Sequence, residues 1–336
     1  MTPGYGGDRA RRCLVFAPDG TATPRTVDDL DELVAILRDT PDFVWLDLAQ
    51  PSDDDLFDLQ RIFGLDQLAI DDVSSWHDRP KVEYFEHSVF VVAHAATLDD
   101  DKFTTHEIAL FIGERFAISV RAFPVFALGD VERRWTTTRS IPHNGVGLLY
   151  LILDTITDGF FDIATVYQER LLSLESHLFD SNDDSALQKN EREIFRFKRA
   201  LTLFRATVAP MRDMIARLTS SDTVDDHPTL VRYFRDIQDH VVYALGEIDT
   251  TRDLLNSTYD LHLAIQGTRE SQINKQLTVI ATIFLPITFI TGFFGQNFSY
   301  LTDHMAGAPV FWILGIGSEL VTLVIIWVYF KRKGWL

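Results

Sequence analysis

The chain of 336 residues carries a formal net charge of −18, and 46% of its residues are hydrophobic against 24% charged. This excludes a disordered or collagen-like chain and leaves room for about two domains with a sizeable core. The acidic balance argues against a nucleic-acid partner, because such binders carry a basic footprint. The one cysteine, Cys13, excludes an internal disulfide and a cysteine-rich zinc site. The first nineteen residues lack an apolar core of signal-peptide length, so no cleaved leader is predicted.

Residues 1–146 read as a mixed α/β domain. Residues 43–48 (FVWLDL) predict a buried strand, and 51–63 a helix opened by Pro51 with Asp53, Asp54 and Asp55 in its first turn. Residues 82–95 and 108–120 are rich in β-branched and aromatic types, with a turn at Gly113-Glu114 in the second run. From residue 147 the spacing becomes helical. Residues 148–179 and 186–218, separated by the polar turn 180–184, predict a helical hairpin within a segment 147–228.

A third helix follows. Leu230, Phe234, Ile237, Val241, Leu245, Ile248, Leu255 and Tyr259 recur at spacings compatible with one helix, with Arg252 in step. This stalk, 229–275, runs without a proline into the next segment. A continuous helix over 229–294 would be about 100 Å long, and so long an apolar seam predicts packing against copies of the chain.

The C-terminal segment is a different material. Residues 276–302 contain no charged side chain, and 308–330 contain only Glu319. The first 275 residues therefore hold all but two of the 49 acids and all but three of the 31 bases, a net of −19. Two apolar runs of this length, with Phe293, Phe294, Trp312, Trp327, Tyr329 and Trp335 near their ends, predict transmembrane helices at 276–294 and 308–330. Lys331, Arg332 and Lys333 form a basic tail, 331–336. Arg269 and Lys275 precede the first span, and the loop 295–307 has neither Lys nor Arg. The positive-inside rule places both termini in the cytoplasm.

On the first span, Ser271, Asn274, Thr278, Ala281, Leu285, Thr288 and Gly292 form one stripe at three-or-four spacing, with Leu277 beside it. Such a stripe can line a pore, or it can be a device for close helix packing whose threonines bond to their own backbone. Pro286 predicts a kink. Glu319, an acid in mid-span, is read as protonated, as paired with Thr282 or Thr322, or as a proton-coupling group. His87, His94, His240 and His262 form no ligand cluster in the sequence. No nucleophile–base constellation or phosphate loop is present, so an enzyme is not expected.

Residues 285–298, LPITFITGFFGQNF, resemble the signature of the CorA family of divalent-cation channels, with its Gly-Met-Asn triplet after the first of two C-terminal spans. The tail YFKRKGWL and the upstream segments Asp71-Asp72-Val73 and Arg79-Pro80-Lys81-Val82-Glu83-Tyr84-Phe85-Glu86 are also similar to the family's. Gln296 stands in place of the usual Met, as it varies in ZntB-like zinc transporters. The resemblance implies a funnel-shaped homopentamer in the inner membrane, an α+β fold with an N-terminal α/β domain, a helical hairpin and a stalk. It implies a mouth of Gly295, Gln296 and Asn297, whose amide oxygens would hold a hydrated Mg²⁺ through its waters. It also implies a pore lined by Ser271, Asn274, Leu277, Ala281, Leu285, Thr288 and Gly292, with Leu277 and Leu285 as apolar constrictions.

For gating, the resemblance implies that Asp72 meets Asp236 of a neighbouring subunit, with regulatory Mg²⁺ between them. Asp260 would draw cations to the inner entrance. Glu247, Asp249 and Asp253 have weaker claims. The predicted activity is uptake of Mg²⁺, with Co²⁺ and Ni²⁺ as further cargo. The rivals are a ZntB-like Zn²⁺ transporter linked to protons and a non-conducting membrane scaffold or sensor.

Overall fold

The structure is a computed structural model of the chain. It describes all residues except 1–10, 18–21, 26–30, 77–78, 100–101, 123–127, 139, 181–183, 297–298, 305–306 and 336. Contacts divide the chain into two compact units, Met1–Asn256 and Ser257–Leu336.

The first unit is built on one seven-stranded sheet. Its strands are β1 (Arg11–Phe16), β2 (Ala22–Arg25), β3 (Phe43–Ala49), β4 (Lys81–Tyr84), β5 (Val89–Asp99), β6 (Lys102–Ile112) and β7 (Phe116–Arg121). They lie in the order β2-β1-β3-β7-β6-β5-β4. Only the β3–β7 pair is parallel; the other described pairs are antiparallel.

Side chains of successive strand residues point to opposite faces, and both faces are covered. Val44, Leu46 and Leu48 of β3 share a buried cluster with Leu33 of α1 (Asp31–Asp39), Leu59 of α2 (Asp53–Phe63) and Ile70 of α3 (Gln67–Ser75). The alternate residues Phe43 and Trp45 meet Trp135 of α4 (Leu128–Thr137), as does Phe16 of β1. Every residue of β3 is therefore buried. A strand covered on both sides reads as a continuous apolar run, which is why FVWLDL was legible.

Local signals explain the element ends. Ser52 caps α2, accepting from the Asp55 backbone N–H while the Asp55 carboxylate accepts from the Ser52 N–H, a reciprocal capping box. The 108–120 run divides into β6 and β7 at the expected turn, where the Gly113 N–H donates to the Phe116 carbonyl. A Cβ at Gly113 would lie 2.3 Å from the Phe116 ring, so only glycine fits this turn as built. Residues 82–95 likewise divide into β4 and β5, with the Phe85 N–H donating to the Ser88 carbonyl between them.

Three helices complete the unit and lead out of it: α5 (Gly145–Asp180), α6 (Asp184–Thr219) and the short α7 (Asp222–Asp225). The next, α8 (Pro228–Phe294), is one element of 67 residues that continues through Pro286. Its seam corrects one expectation. Leu230, Phe234, Ile237, Val241, Ile248 and Leu255 are already buried within a single chain, none more than 1% exposed. Tyr150 of α5 sits against Phe234, and Phe161 stacks on Tyr243. In the upper stalk, then, the apolar period reports packing within the subunit, not a contact between copies.

In the second unit the chain continues through α9 (Ser299–His304), α10 (Ala308–Val310), a π-helical turn (Phe311–Ile316) and α11 (Gly317–Arg332). Helices Pro228–Phe294 and Ala308–Arg332 each contain a stretch long and apolar enough to cross a membrane.

Candidate ion pathway and metal-binding residues

On the first span, Lys275, Val279, Thr282, Ile283, Pro286, Ile287 and Ile290 are half-buried. At 100° per residue these seven fall on one face of α8. That face meets the end of the chain: Ile283 lines a cleft with α11, and Lys275 Nζ lies 3.4 Å from the Gly334 carbonyl. Asn274, Leu277, Ala281, Leu285, Thr288 and Gly292 fall on the opposite face and are all exposed in the single chain, as is Ser271. Leu277 and Leu285 expose 64% and 71% of their surface. Exposure alone does not mark a pore, because Phe284 and Phe289 are as open. The phase is the informative observation.

The threonine hydroxyls donate within their own helix: Thr278 to the Asn274 carbonyl at 2.7 Å and Thr288 to the Phe284 carbonyl at 2.8 Å. Each proton is thus turned inward, and the oxygen keeps lone pairs that can accept from a hydrated ion.

Helix α8 closes at the mouth motif. The Gly295 N–H donates to the Thr291 carbonyl at 2.9 Å, and a Cβ there would stand 3.1 Å from that same oxygen. Gln296 N–H donates to the Phe293 carbonyl and its side chain is exposed. Asn297 lies outside the described residues.

The candidate regulatory acids differ from one another. Asp72, on α3, is paired with Lys81 of β4 at 2.5 Å, and Lys81 also lies 3.4 Å from Glu83. Asp72 thus carries its own counter-ion within the subunit. Asp236 is open, with 61% of its side chain exposed and His240 Nε2 3.8 Å away. Asp260 is exposed on the lower part of α8. Glu247 accepts from Gln168 Nε2, and Asp249 is held by Arg205 at 2.7 Å, so both serve the contact of α8 with the hairpin.

One cluster escaped the sequence reading. Asp154 and Asp158 of α5 and His240 of α8 bring ligand atoms within 4.8 Å of one another. Burial first, and then the neighbouring Asp154 charge, raise the Asp158 pKa above the ordinary carboxylate value. Arg134 holds Asp154 from the other side. His240 Nδ1 is buried and has no hydrogen-bond partner among the described residues. The expectation of an isolated His240 is corrected here. The i,i+4 spacing of the two aspartates and the helix carrying His240 were visible in the sequence; the packing of α8 on α5 that brings them together was not.

Glu319 is half-buried near the start of α11. The hydroxyls of its two expected partners donate within their own helices, Thr282 to the Thr278 carbonyl and Thr322 to the Ser318 carbonyl.

Fold and candidate pathway together define a two-span membrane protein with a large α+β body, a polar exposed stripe on its first span and acids outside the spans. The chain belongs to the CorA-like Mg²⁺ transporter protein family, whose model matches residues 41–332. It is 29% identical over 314 residues to the cobalt/magnesium transport protein CorA of Thermotoga maritima, covering 91% of this chain and 87% of that one. It is 27% identical over 336 residues to the protein of the same name from Methanocaldococcus jannaschii, covering 96% and 99%. The complete structure of the CorA magnesium transporter from M. jannaschii has a TM-score of 0.78 at 24% identity, over 96% of this chain and 98% of that one. That likeness establishes the fold.

Proposed function

We propose that this protein is a homopentameric channel that carries Mg²⁺, with Co²⁺ and Ni²⁺ as further cargo, across the cell membrane. The observation that carries the reading is the phase of the first span. The face opposite the half-buried side is the one that bears Asn274, Thr288, Gly292 and the two leucines. Five such faces around an axis would make a pore with oxygen-rich levels and two apolar constrictions able to dewet. Family membership and the relatives' printed cargo support the choice of ion.

In this reading Gln296 and Asn297 form the mouth, and their neutral oxygens receive the ion with its waters, since Mg²⁺ dehydrates reluctantly. A Cβ at Gly295 would crowd the Thr291 carbonyl. Both termini are cytoplasmic. The stalk ends at residue 275, and the spans are 276–294 and 308–330. Regulatory ions sit among the acids of the body, at Asp72 and Asp236 between subunits, with Asp154, Asp158 and His240 supplying further donors nearby on Asp236's own helix and on α5. Asp260 concentrates cations at the inner entrance.

The deciding experiment is flux into liposomes loaded with a Mg²⁺ dye. Wild type should conduct, and Asn297→Ala should lose most of the Mg²⁺ flux while keeping the wild-type mass in detergent. Wild-type flux from Asn297→Ala would remove the mouth, and wild-type passage of Zn²⁺ without Mg²⁺ would overturn the assigned cargo.

A further inference from the structure

An apolar cleft of about 330 Å³ lies between α8 and α11, lined mainly by Ile283, Leu320, Leu323, Val324, Trp327 and Phe330. The ion pathway makes no use of it, because it lies on the opposite side of α8 from the polar stripe. Leu320, Val324 and Trp327 recur at spacings of four and three, and the next residue on that face is Lys331. Lys331 Nζ stands 4.8 Å from the centre of the Trp327 ring. On the other flank Phe330 stacks on Trp335 at 5.6 Å, and Lys275 Nζ lies 5.7 Å from the Trp335 ring centre. An aromatic ring carrying an ammonium thus lines the cleft at Trp327, and a second, Trp335, stacks on its lining residue Phe330.

Among the described residues neither lysine has a carboxylate partner. That is a surplus of positive charge in a chain whose net charge is −18. The acid on the same span, Glu319, is about 18 Å from Lys331 along the helix. The spans of a second copy would bring the same lysines to the same level, so charge disfavours them as the occupant. The rise from Leu320 to Phe330 is about 15 Å, half of the ~30 Å hydrocarbon layer and the reach of one leaflet's acyl chain.

We propose that this cleft binds one anionic phospholipid of the leaflet at the basic end of the spans. One acyl chain lies between Ile283 and the stripe from Leu320 to Trp327, and the phosphate sits between Lys275 and Lys331. The inference rests on both helices crossing a bilayer and not on which ion is carried.

The test uses the full chain, purified in mild detergent and stripped of lipid. It is titrated with phosphatidylglycerol, with phosphatidylcholine of the same chains and with inorganic phosphate, and bound lipid is counted by native mass spectrometry. Phosphatidylglycerol should be retained at roughly tenfold lower concentration than phosphatidylcholine, given two lysines at the headgroup, and inorganic phosphate should not compete. The preference should vanish in Lys275→Gln/Lys331→Gln and persist in Lys275→Arg/Lys331→Arg. Val324→Trp, at an exposed position, should lower retention of both lipids.

Equal retention of the two lipids by wild type, or an unchanged preference in the double glutamine variant, overturns the proposal. So does a photo-crosslinker at position 324 that captures a second copy instead of lipid. If a variant loses the wild-type mass, the wild type alone decides: its preference must fall as salt is raised from about 0.05 to about 0.5 M, where screening shortens to a few ångströms. No arm measures flux, so failure here leaves the transport reading standing.

Discussion

Asp72 and Asp158 show how two acids of one acidic body come to differ. Asp72 holds Lys81 at 2.5 Å in a partly buried pair. On the proposed gating, a divalent ion that arrives at Asp72 would compete with that ammonium, which makes Lys81 a competitor. Lys81→Gln should therefore lower the Mg²⁺ concentration that half-closes the channel by about two- to fivefold, the worth of a partly exposed ion pair. Inhibition of flux against internal Mg²⁺ measures it. Asp158 has the opposite problem, being crowded by Asp154 and raised in pKa by burial and by that charge. A raised acid binds its proton more tightly in the folded state, so stability falls as pH rises from its unfolded towards its folded pKa, and the loss is complete above that. Asp158→Asn should raise the thermal midpoint at neutral pH, and the difference should disappear below the ordinary carboxylate range. A wild-type midpoint that increases with added divalent ion, and less so in Asp158→Asn, would tie the cluster to metal.

At the scale of elements, the sheet is pinned by a buried polar group. Asp47 of β3 accepts from Ser119 Oγ at 2.7 Å and from Arg121 Nε at 3.1 Å, both on β7, and Trp45 Nε1 donates to the same serine. The two strands are parallel, with Asp47 opposite Ser119 in register. Removing one member of such a pair leaves the other charge buried without its counter-charge. Asp47→Ala should therefore cost about 3–5 kcal/mol, seen as a lower thermal midpoint of the full chain. The sequence showed β3 as an apolar strand, but a lone Asp inside FVWLDL carries no sign of a partner on β7. β1 and β2 also went unread: they are short strands at one edge of the sheet, where β2 pairs only with β1. Elements with a long period were legible: α5, α6 and α8 start and end within a few residues of expectation. The purpose of the seam on α8 was not, since a helical period shows that a face is buried and not what buries it. Glu319 belongs at this scale too. It follows a π-helical turn over Phe311–Ile316, and an extra residue per turn shifts the phase of everything after it. Glu319→Gln should leave downhill Mg²⁺ flux unchanged and abolish any component driven by a pH gradient, measured in the same liposomes.

Across the whole molecule, charge is the unresolved force. Residues 1–275 carry a net of −19, and the proposed assembly would gather five such bodies around one axis. The apolar seam of the upper stalk does not offset the repulsion between copies, because it is spent inside each subunit. Cations would offset this repulsion, and diffuse salt and bound divalent ions make different predictions. Screening depends on ionic strength alone and reaches about 10 Å at 0.1 M whatever the cation. A site shifts the balance between states only through its differential affinity, and saturates. With the bodies tightened by specific sites, about 1–10 mM Mg²⁺ should protect residues 1–275 from protease and from hydrogen exchange in 0.15 M NaCl, where the Debye length is already about 8 Å. Monovalent salt of equal ionic strength should not substitute. Protection should weaken in Asp72→Asn and Asp236→Asn and follow a saturating curve in Mg²⁺. If sodium chloride protects as well, the acids act as a cloud and the regulatory sites are not there.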